Sequence, residues 1–404
     1  MTKEELLGVA ERFGTPTFAF DATAFERRVA QVSQTFGPGV GLCYSIKANP
    51  FLVPAARDAG MRLEVCSPGE LAICEALGVP GETIVYSGVC KGEDDVREAI
   101  SYGAGTFTAE SLGQLALVDR AARSCGARIP VLLRLNAGSQ FGMSRADLVR
   151  AVDGRDSLTG VELVGIHHFA GTQRRRLDHQ RRDLAMLQGL ADELGREHGW
   201  RPSRLEYGPG LAVPYFEGDD FSNTLAPARE LADDLRHVAS RLDLTVEMGR
   251  FLASECGSYV TQVVDLKDAD DETSYALVDG GINHVVYLGQ LMGLKVPVVR
   301  NLSLGDGRAR REREWTVCGS LCTTGDVLVR KLRIPLAEGD LLAFDNLGAY
   351  SVTEGIALFL SRALPLVAIR GKDGWRVARK RVETSVLNQP LAVVCHDVVY
   401  TDDA

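Results

Sequence analysis

Short apolar segments alternate with longer amphipathic ones over residues 25–260, and this alternation restricts the fold more than any other feature. Helical patterns separate the apolar segments; one covers residues 69–77 and stops before Gly78, as a helix with a glycine C-cap does. Strand–helix units of this length and number predict a (β/α)8 TIM barrel. A doubly wound parallel sheet is the alternative that the alternation leaves open. The apolar segments are residues 40–46, 62–66, 83–87, 105–108, 130–135, 161–167, 204–207 and 244–247.

The pattern changes after residue 260, where β-rich segments are separated by Gly, Asp and Pro turns. The tetrapeptide Gly371-Lys372-Asp373-Gly374 is a hairpin signal. These features predict a C-terminal β-sandwich or β-barrel domain over residues 261–404. Residues 17–21 form a further strand pattern, so we expect the N-terminal segment 1–25 to pack with this domain. The TIM barrel would then comprise residues 26–260.

Length and composition exclude several classes of protein. The 404 residues are enough for two domains with apolar cores. A net charge of −9 argues against general nucleic-acid binding, and no apolar segment is long enough to span a membrane. The charged N-terminus has no signal-peptide core. The nine cysteines are odd in number and form no CxxC pair, so we expect a cytoplasmic protein without disulfides or a metal site.

Lys47 lies where the first apolar segment ends, in Tyr44-Ser45-Ile46-Lys47-Ala48-Asn49-Pro50. Burial lowers the pKa of a lysine and makes its amine nucleophilic. A nucleophilic amine is what a Schiff base with an aldehyde cofactor requires. A lysine at a strand end can also be a surface residue that extends its amine into water.

The other strand ends carry groups that suit such a cofactor, because chemistry in a TIM barrel collects at the C-terminal ends of the strands. Backbone N–H groups of Gly208-Pro209-Gly210 could approach a phosphate, with Thr172 and Arg250 as further donors. Glu247 could keep a pyridine nitrogen protonated, which makes the ring an electron sink. The alternatives are an ordinary turn at the glycines and a structural ion pair at Glu247.

Two further groups of residues are candidates for the site. Glu64 and Arg134 end two other strands, and we expect them to form an ion pair that shapes the barrel mouth. In the β domain, the turn-rich segment 318–326 holds a thiol, and Tyr350 is a second polar candidate. Both side chains could simply be part of a core, but a thiol near a cationic cofactor could exchange a proton.

Together these segments resemble the fold-type III pyridoxal-phosphate (PLP) decarboxylases, the group of diaminopimelate, ornithine and arginine decarboxylases. The resemblance spans nearly the whole chain and implies an alanine racemase-like barrel, PLP as the cofactor, and a homodimer with shared active sites. It rests on residues 13–16, 44–49, 64–71, 139–143, 165–173, 207–210, 247–250, 321–326 and 348–350.

The resemblance implies a role for individual residues. Lys47 would bind the PLP aldehyde, and Glu247 would contact the pyridine nitrogen. Cys322 would reach the site from the partner subunit and protonate the decarboxylated carbon. Substrate contacts are expected from Cys322, Thr323, Tyr350 and Arg174. Further contacts to the cofactor are expected from His167, Phe169, Thr172, Gly208, Gly210, Gly249, Arg250 and Tyr350.

Three positions depart from the pattern of the family. Phe169 occupies the position of the histidine that usually stacks on the pyridine ring. Pro209 replaces the middle glycine of the phosphate loop and removes one N–H donor. Thr323 follows Cys322, where diaminopimelate decarboxylases carry a glutamate that binds the distal amino group of the substrate.

The resemblance therefore implies PLP-dependent α-decarboxylation of an amino acid or of a conjugated or carrier-bound derivative. Segments 280–284 and 359–361 resemble a divergent biosynthetic branch whose members include enzymes for such conjugates. The run Arg174-Arg175-Arg176, just before the expected N-cap Asp178, is either a solvated loop or a site for an acidic substrate tail or a carrier protein. The alternatives are diaminopimelate decarboxylase of lysine biosynthesis, an amino-acid racemase on the same barrel, and a non-catalytic regulator.

Overall fold

The computed structural model describes residues 1–269, 273–287 and 294–390. Its first half alternates strands and helices as the sequence predicts. In chain order the elements are α1 (Lys3–Phe13), β1 (Thr17–Asp21), α2 (Ala22–Phe36), β2 (Val40–Ser45), α3 (Val53–Asp58), β3 (Arg62–Val65), α4 (Pro68–Ala76), β4 (Ile84–Tyr86), α5 (Glu93–Tyr102), β5 (Thr106–Ala109), α6 (Leu112–Ser124), β6 (Ile129–Arg134), α7 (Arg145–Asp153), β7 (Val161–Phe169), α8 (Leu177–Glu197), β8 (Arg204–Gly208), α9 (Ala226–Ala239), β9 (Asp243–Met248) and α10 (Arg250–Ala253).

The second half consists mainly of strands joined by turns. Its described elements are β10 (Gly257–Asp268), β11 (Ser274–Val278), β12 (Val299–Asn301), β13 (Glu314–Cys318), β14 (Val327–Arg333), β15 (Leu341–Asp345), α11 (Ser351–Glu354), β16 (Leu366–Gly371) and β17 (Gly374–Arg379).

Strands β2 to β9 form a closed barrel in which every pair of neighbours is parallel. The barrel closes where β2 pairs with β9, and this pairing excludes the doubly wound sheet. Successive side chains of a strand point to opposite faces, so alternate residues face the barrel interior. The carboxyl ends of the eight strands therefore meet at one mouth.

Serine N-caps start three of the barrel helices close to this mouth. Ser67 Oγ accepts a hydrogen bond from Glu70 N at 3.2 Å, and Ser111 and Ser144 cap α6 and α7 in the same way. The predicted N-cap at Asp178 is wrong. Helix α8 begins at Leu177 after Arg176, without a side-chain cap, and Asp178 lies in its first turn, where its charge complements the helix dipole.

Nine of the described strands form a second sheet. Seven of them lie in the order β14-β13-β11-β10-β1-β16-β17; β15 pairs with β10, and β12 pairs with β15. The predicted strand at residues 17–21 is confirmed as β1, which lies between β10 and β16. The predicted hairpin is confirmed where Gly371 pairs with Gly374. Helix α1 packs on the sheet through a core of Leu6, Val9, Ala10, Ala19, Val260, Leu302, Ala343 and Ala368.

The chain separates into two compact units. The barrel unit comprises residues 25–214 and 220–252, and the β unit comprises residues 1–24, 215–219 and the described residues from 253 onward. Within the described ranges, no helix combines the length and the apolar composition that crossing a membrane requires.

Candidate active site

Lys47 lies in the short helical turn that follows β2, at the mouth of the barrel. Its Nζ is 2.5 Å from Glu64 Oε2 and 3.5 Å from Cys66 Sγ. The Lys47 side chain is 40% exposed, whereas that of Glu64 is 4% exposed. Burial raises the pKa of the Cys66 thiol, so this neighbour stays neutral. The amine is therefore held by a buried carboxylate and remains accessible from the mouth.

The predicted ion pair between Glu64 and Arg134 is wrong. Glu64 on β3 pairs with Lys47, and Arg134 on β6 pairs with Glu110, with Nη1 and Oε1 2.5 Å apart. Glu110 also accepts a hydrogen bond from Gly142 N at 2.8 Å. Glu110 directly follows β5, which is the neighbour of β6 in the barrel, whereas β3 is not a neighbour of β6. The order of the strands thus decides the pairing.

Glu247 on β9 is held by two hydrogen bonds. Ser45 Oγ donates to Oε1 at 2.8 Å, and His167 Nε2 lies 2.9 Å from Oε2. Burial alone would raise the pKa of this carboxyl, but the His167 hydrogen bond and the charge of Lys47 outweigh burial and hold the pKa well below its usual range. Glu247 is therefore an anion within the barrel, as a partner of a protonated pyridine nitrogen must be.

Glu206 on β8 is a candidate that the sequence reasoning missed. One side-chain atom of Glu206, one of His167 and one of Glu247 all lie within 4.8 Å of one another, and all three residues are buried. This spacing would accommodate a metal ion, although His167 and Glu247 already bind each other. The absence of a metal site stays a prediction. Its spacing from Gly208 could have identified Glu206 from the sequence, because residues two apart in a strand lie on the same face.

The loops after β7 and β8 lie against each other at the mouth. Gly210 has φ +61°, and a Cβ atom there would lie 1.8 Å from Gly171 O. Its carbonyl accepts a hydrogen bond from Arg174 N at 2.9 Å. Close by in sequence, Thr172 Oγ1 accepts a hydrogen bond from Arg250 Nε at 3.2 Å. A flexible glycine backbone, a hydroxyl and a guanidinium are together suited to bind a phosphate.

Two glutamines fix these loops, and sequence reasoning did not find them. Gln173 has φ +54°, and its side chain donates to Val213 O at 2.9 Å and accepts from Val213 N at 2.8 Å. Gln180 Nε2 donates to Arg174 O and to Pro209 O, both at 3.1 Å. Neither contact follows a sequence motif, because both depend on how two loops meet.

Two further glycines permit close approach near the predicted cofactor contacts. A Cβ atom at Gly208 would lie 2.5 Å from Phe169 Cδ2. A Cβ atom at Gly249 would lie 2.8 Å from Ala48 Cβ, next to Lys47. Larger residues at these positions would displace the Phe169 ring or the turn that carries the lysine.

His168 and Arg174 have structural partners. His168 is buried, its ring stacks on Tyr207 with centroids 6.3 Å apart, and burial lowers its pKa to about 4. Arg174 Nη1 lies 2.6 Å from Asp183 Oδ2, and the arginine side chain is 14% exposed. The partner Asp183 lies on α8. A substrate contact from Arg174 therefore stays a prediction.

In the β unit, Cys322 lies in an exposed turn between β13 and β14. The buried carboxylate of Asp326 organises this turn, because Oδ2 accepts from Leu321 N at 2.7 Å and Oδ1 accepts from Ile282 N at 2.8 Å. Thr323 is exposed as well. The turn thus presents a thiol and a hydroxyl on a fixed backbone.

Tyr350, also in the β unit, has φ +69°, a strained conformation for a residue with a side chain. It directly precedes α11, where Ser351 Oγ donates to Val286 O at 2.5 Å and accepts from Val286 N at 3.0 Å. These bonds hold the backbone beside the tyrosine.

The barrel residues fit pyridoxal phosphate on three counts. Lys47 offers an accessible amine for the aldehyde, and Glu247 offers a buried anion for the ring nitrogen. The loops at Thr172 and Gly210, with Arg250, offer donors for the phosphate. Each functional group of the cofactor thus has a chemically matching group in one barrel.

Comparison with known proteins agrees with this fit. Residues 22–254 match a family model described as "Pyridoxal-dependent decarboxylase, pyridoxal binding domain". The chain is 32% identical to diaminopimelate decarboxylase of Pseudomonas aeruginosa over 85% of this chain and 84% of the relative. It is 27% identical to L-glutamyl-[BtrI acyl-carrier protein] decarboxylase of Niallia circulans over 94% of both chains.

A solved structure of diaminopimelate decarboxylase from M. jannaschii shares the fold, with a TM-score of 0.82 at 23% identity over 95% of this chain and 93% of that one. The match to the family model covers more than half of the chain, and its cofactor is the one that the barrel residues fit. This protein is therefore an enzyme that belongs to the PLP-dependent decarboxylases.

Proposed function

We propose that this enzyme decarboxylates an amino-acid unit that is attached to a carrier protein or to a larger acid. The observation that carries the proposal is Thr323, a neutral residue directly after Cys322 in an exposed turn. A glutamate at this position would offer a charge for a free distal ammonium group; a threonine offers none. The relative from Niallia circulans, named as a decarboxylase of a carrier-bound glutamyl group, supports the same substrate class.

In the proposed reaction, bound PLP supplies the electron sink for the breaking Cα–CO2 bond. Lys47 Nζ binds the cofactor between turnovers, and Glu64 fixes the position of this amine. Glu247 keeps a proton on the ring nitrogen through its negative charge. Arg250, Thr172 and the backbone at Gly210 bind the phosphate.

We assign the return of the proton to Cys322, acting from the partner subunit of a homodimer. The Cys322 side chain is exposed on its own turn, as a group that reaches another subunit must be. Its thiol would donate a proton to Cα after CO2 leaves. Reduced cysteines suit a cytoplasmic location, and the eight cysteines in the described ranges are free thiols.

The second candidate is diaminopimelate decarboxylase, which the 32% identity to the Pseudomonas aeruginosa enzyme favours. A racemase is disfavoured, because racemases of this fold place an arginine at the pyridine nitrogen and Glu247 is an anion.

A substrate comparison tests the proposal. PLP-loaded protein is incubated with meso-diaminopimelate, free glutamate and a glutamyl-loaded carrier protein, and mass spectrometry follows the loss of CO2. We expect turnover of the carrier-bound substrate and negligible turnover of the free amino acids. Equal or faster turnover of meso-diaminopimelate would overturn the proposal. The Lys47→Ala protein is the blank, since it keeps the barrel but lacks the amine.

A substitution at the decisive position sharpens this test. Thr323→Glu should increase activity toward meso-diaminopimelate, because it places a carboxylate where a distal ammonium group is expected. Thr324→Glu is the matched control, as it adds the same charge one residue later on the same exposed turn. If both variants have the same activity toward meso-diaminopimelate, position 323 does not determine substrate specificity.

A further inference from the structure

Glu206 lies inside the barrel next to the residue that is proposed to serve the pyridine nitrogen. It is 2% exposed and lies in register with His167 on β7 and with Thr245 on β9. Side chains alternate along parallel strands, so Glu206, His167 and Glu247 share the interior face. Their closest polar atoms lie within 4.8 Å of one another. Any charge on Glu206 therefore acts directly on Glu247.

The Glu206 carboxyl has no compensating partner at one of its oxygens. Among the residues that the structure describes, Oε1 of Glu206 and Nδ1 of His167 are buried without a hydrogen-bond partner. An ionised carboxylate buried in this way is unfavourable, because no protein donor replaces the water that its unpartnered oxygen loses. Two carboxylates at this separation also resist carrying charge at the same time. Ionisation of both carboxyls is therefore unfavourable, and a neutral form of one of them is favoured.

The surrounding charges decide which carboxyl is neutral. Burial raises the pKa of Glu206 well above its usual range, Glu247 and Glu64 raise it further, and Arg62 and Lys47 oppose the change without reversing it. By contrast, Glu247 receives the hydrogen bond of Ser45 and lies beside His167.

Other groups facing Glu206 do not alter this result. Arg62 Nη1 donates to Thr245 Oγ1 at 3.3 Å, and Arg62 Nη2 lies 3.9 Å from Asp243. Cys43 on β2 is buried, and burial raises the pKa of its thiol, so Cys43 carries no charge.

We propose that Glu206 is a positioning residue that remains protonated, so that the adjacent Glu247 keeps its negative charge for the pyridine nitrogen. The role of Glu247 in this inference rests on the proposed function. The protonation of Glu206 is a separate property of the barrel and can be measured without cofactor or substrate.

The first test is infrared spectroscopy of the PLP-free protein near neutral pH. A protonated carboxyl gives a C=O stretching band that an ionised one lacks. We expect the Glu206→Gln difference spectrum to show the loss of one such band, and the Glu247→Gln difference spectrum to show none. The comparison requires difference spectra, because burial also raises the pKa of Glu70 and Asp326.

The second readout is stability against pH. Folded Glu206 keeps a proton that the unfolded chain releases above the ordinary pKa of 4.5. The free energy of unfolding should therefore fall as the pH rises above that value, and Glu206→Gln should flatten this slope. In the loaded enzyme, Glu206→Gln should keep kcat within about threefold of the parent at neutral pH, since it preserves a neutral group. We also expect kcat of the parent to decline at alkaline pH, where Glu206 would ionise, and Glu206→Gln to weaken this decline.

Several results would overturn the inference. An unchanged carboxyl band in Glu206→Gln would mean that Glu206 is ionised. The parent protein could also bind one equivalent of metal that Glu206→Gln does not bind. This result would mean that Glu206 binds a metal ion and not a proton. Glu206→Met covers the case in which the glutamine variant does not fold. If Glu206 is neutral, this apolar substitution should be tolerated. If Glu206 is an ionised partner of a buried cation, its removal should abolish folding, and this result would overturn the inference. None of these results depends on which substrate the enzyme decarboxylates.

Discussion

Glu247 Oε2 lies 2.9 Å from His167 Nε2, and this contact joins β9 to β7 across the intervening strand β8. The interior of the barrel makes the contact possible, because side chains from non-neighbouring strands converge there. His167 thereby fixes the orientation of the carboxylate as well as stabilising its charge. The anion is part of the folded barrel and does not require the cofactor to order it.

Removal of the Glu247 charge should reduce turnover without abolishing folding. Glu247→Gln keeps the shape of the side chain, so we expect kcat to fall on the order of 10²-fold, the size typical of a lost preorganised electrostatic group. Ser45→Ala is the control, because it removes one hydrogen bond but leaves the charge. Its loss should be about tenfold or less. Steady-state kinetics that rank the two variants in the opposite order would place the electrostatic role elsewhere.

Arg250 and Thr172 should contribute unequally to cofactor affinity. Arg250→Ala removes a cation, and we expect the Kd for PLP to rise about 10- to 100-fold, as for a lost charge-assisted hydrogen bond. Thr172→Val removes a neutral hydroxyl of nearly the same volume and should raise the Kd only about fivefold. Fluorescence titration of the PLP-free protein measures both values. Similar affinities for both variants and the parent would remove this pair from the phosphate site.

Gly210 should not tolerate a side chain. Gly210→Ala combines φ +61° with a Cβ atom 1.8 Å from Gly171 O, so the loop must shift at a cost of about 1–3 kcal/mol. We expect weaker PLP binding and a lower melting temperature. Gly189→Ala in the exposed face of α8 is the matched control, because no atom lies within 4 Å of its added Cβ. This variant should be stabilised by about 1 kcal/mol. Calorimetry should therefore show a lower melting temperature for Gly210→Ala and a higher one for Gly189→Ala than for the parent.

Acid should destabilise the barrel in part through His168. Burial lowers its pKa from the ordinary 6.5 to about 4, so the folded protein binds fewer protons than the unfolded chain between these pH values. The stability that the neutral ring contributes is complete above pH 6.5 and is lost as the pH falls toward 4. In urea titrations, His168→Gln should flatten this dependence. Equal slopes for the variant and the parent would contradict a buried neutral His168.

The barrel could be predicted from sequence because its signal is periodic. Each predicted apolar segment overlaps a strand, and the strand ends identified Lys47 and Glu247. Strand ends converge in a barrel whatever the loops do, so residues far apart in sequence could be grouped correctly.

Pairings that depend on strand order or loop contact could not be predicted in this way. Arg134 pairs with Glu110 because β5 and β6 are neighbours, and this carboxylate lies one residue beyond the strand. Gln173 forms a hydrogen bond with the backbone of Val213, and no sequence motif predicts this contact. Glu206 resembled an ordinary strand residue until the register placed it beside His167.

The decisive measurement identifies which lysine binds the cofactor, because the barrel contains a second candidate, Lys91. Lys91, unlike Lys47, is buried, and burial lowers its pKa to about 8. Its Nζ donates to Gly88 O at 2.5 Å and to Gln114 Oε1 at 3.3 Å, whereas Lys47 is open to the mouth. Borohydride reduction of the PLP-loaded enzyme fixes the cofactor to the amine that holds it, and peptide mass spectrometry locates it. We predict modification of Lys47 alone; modification of Lys91, or of neither lysine, would contradict the assignment of Lys47 as the cofactor-binding residue.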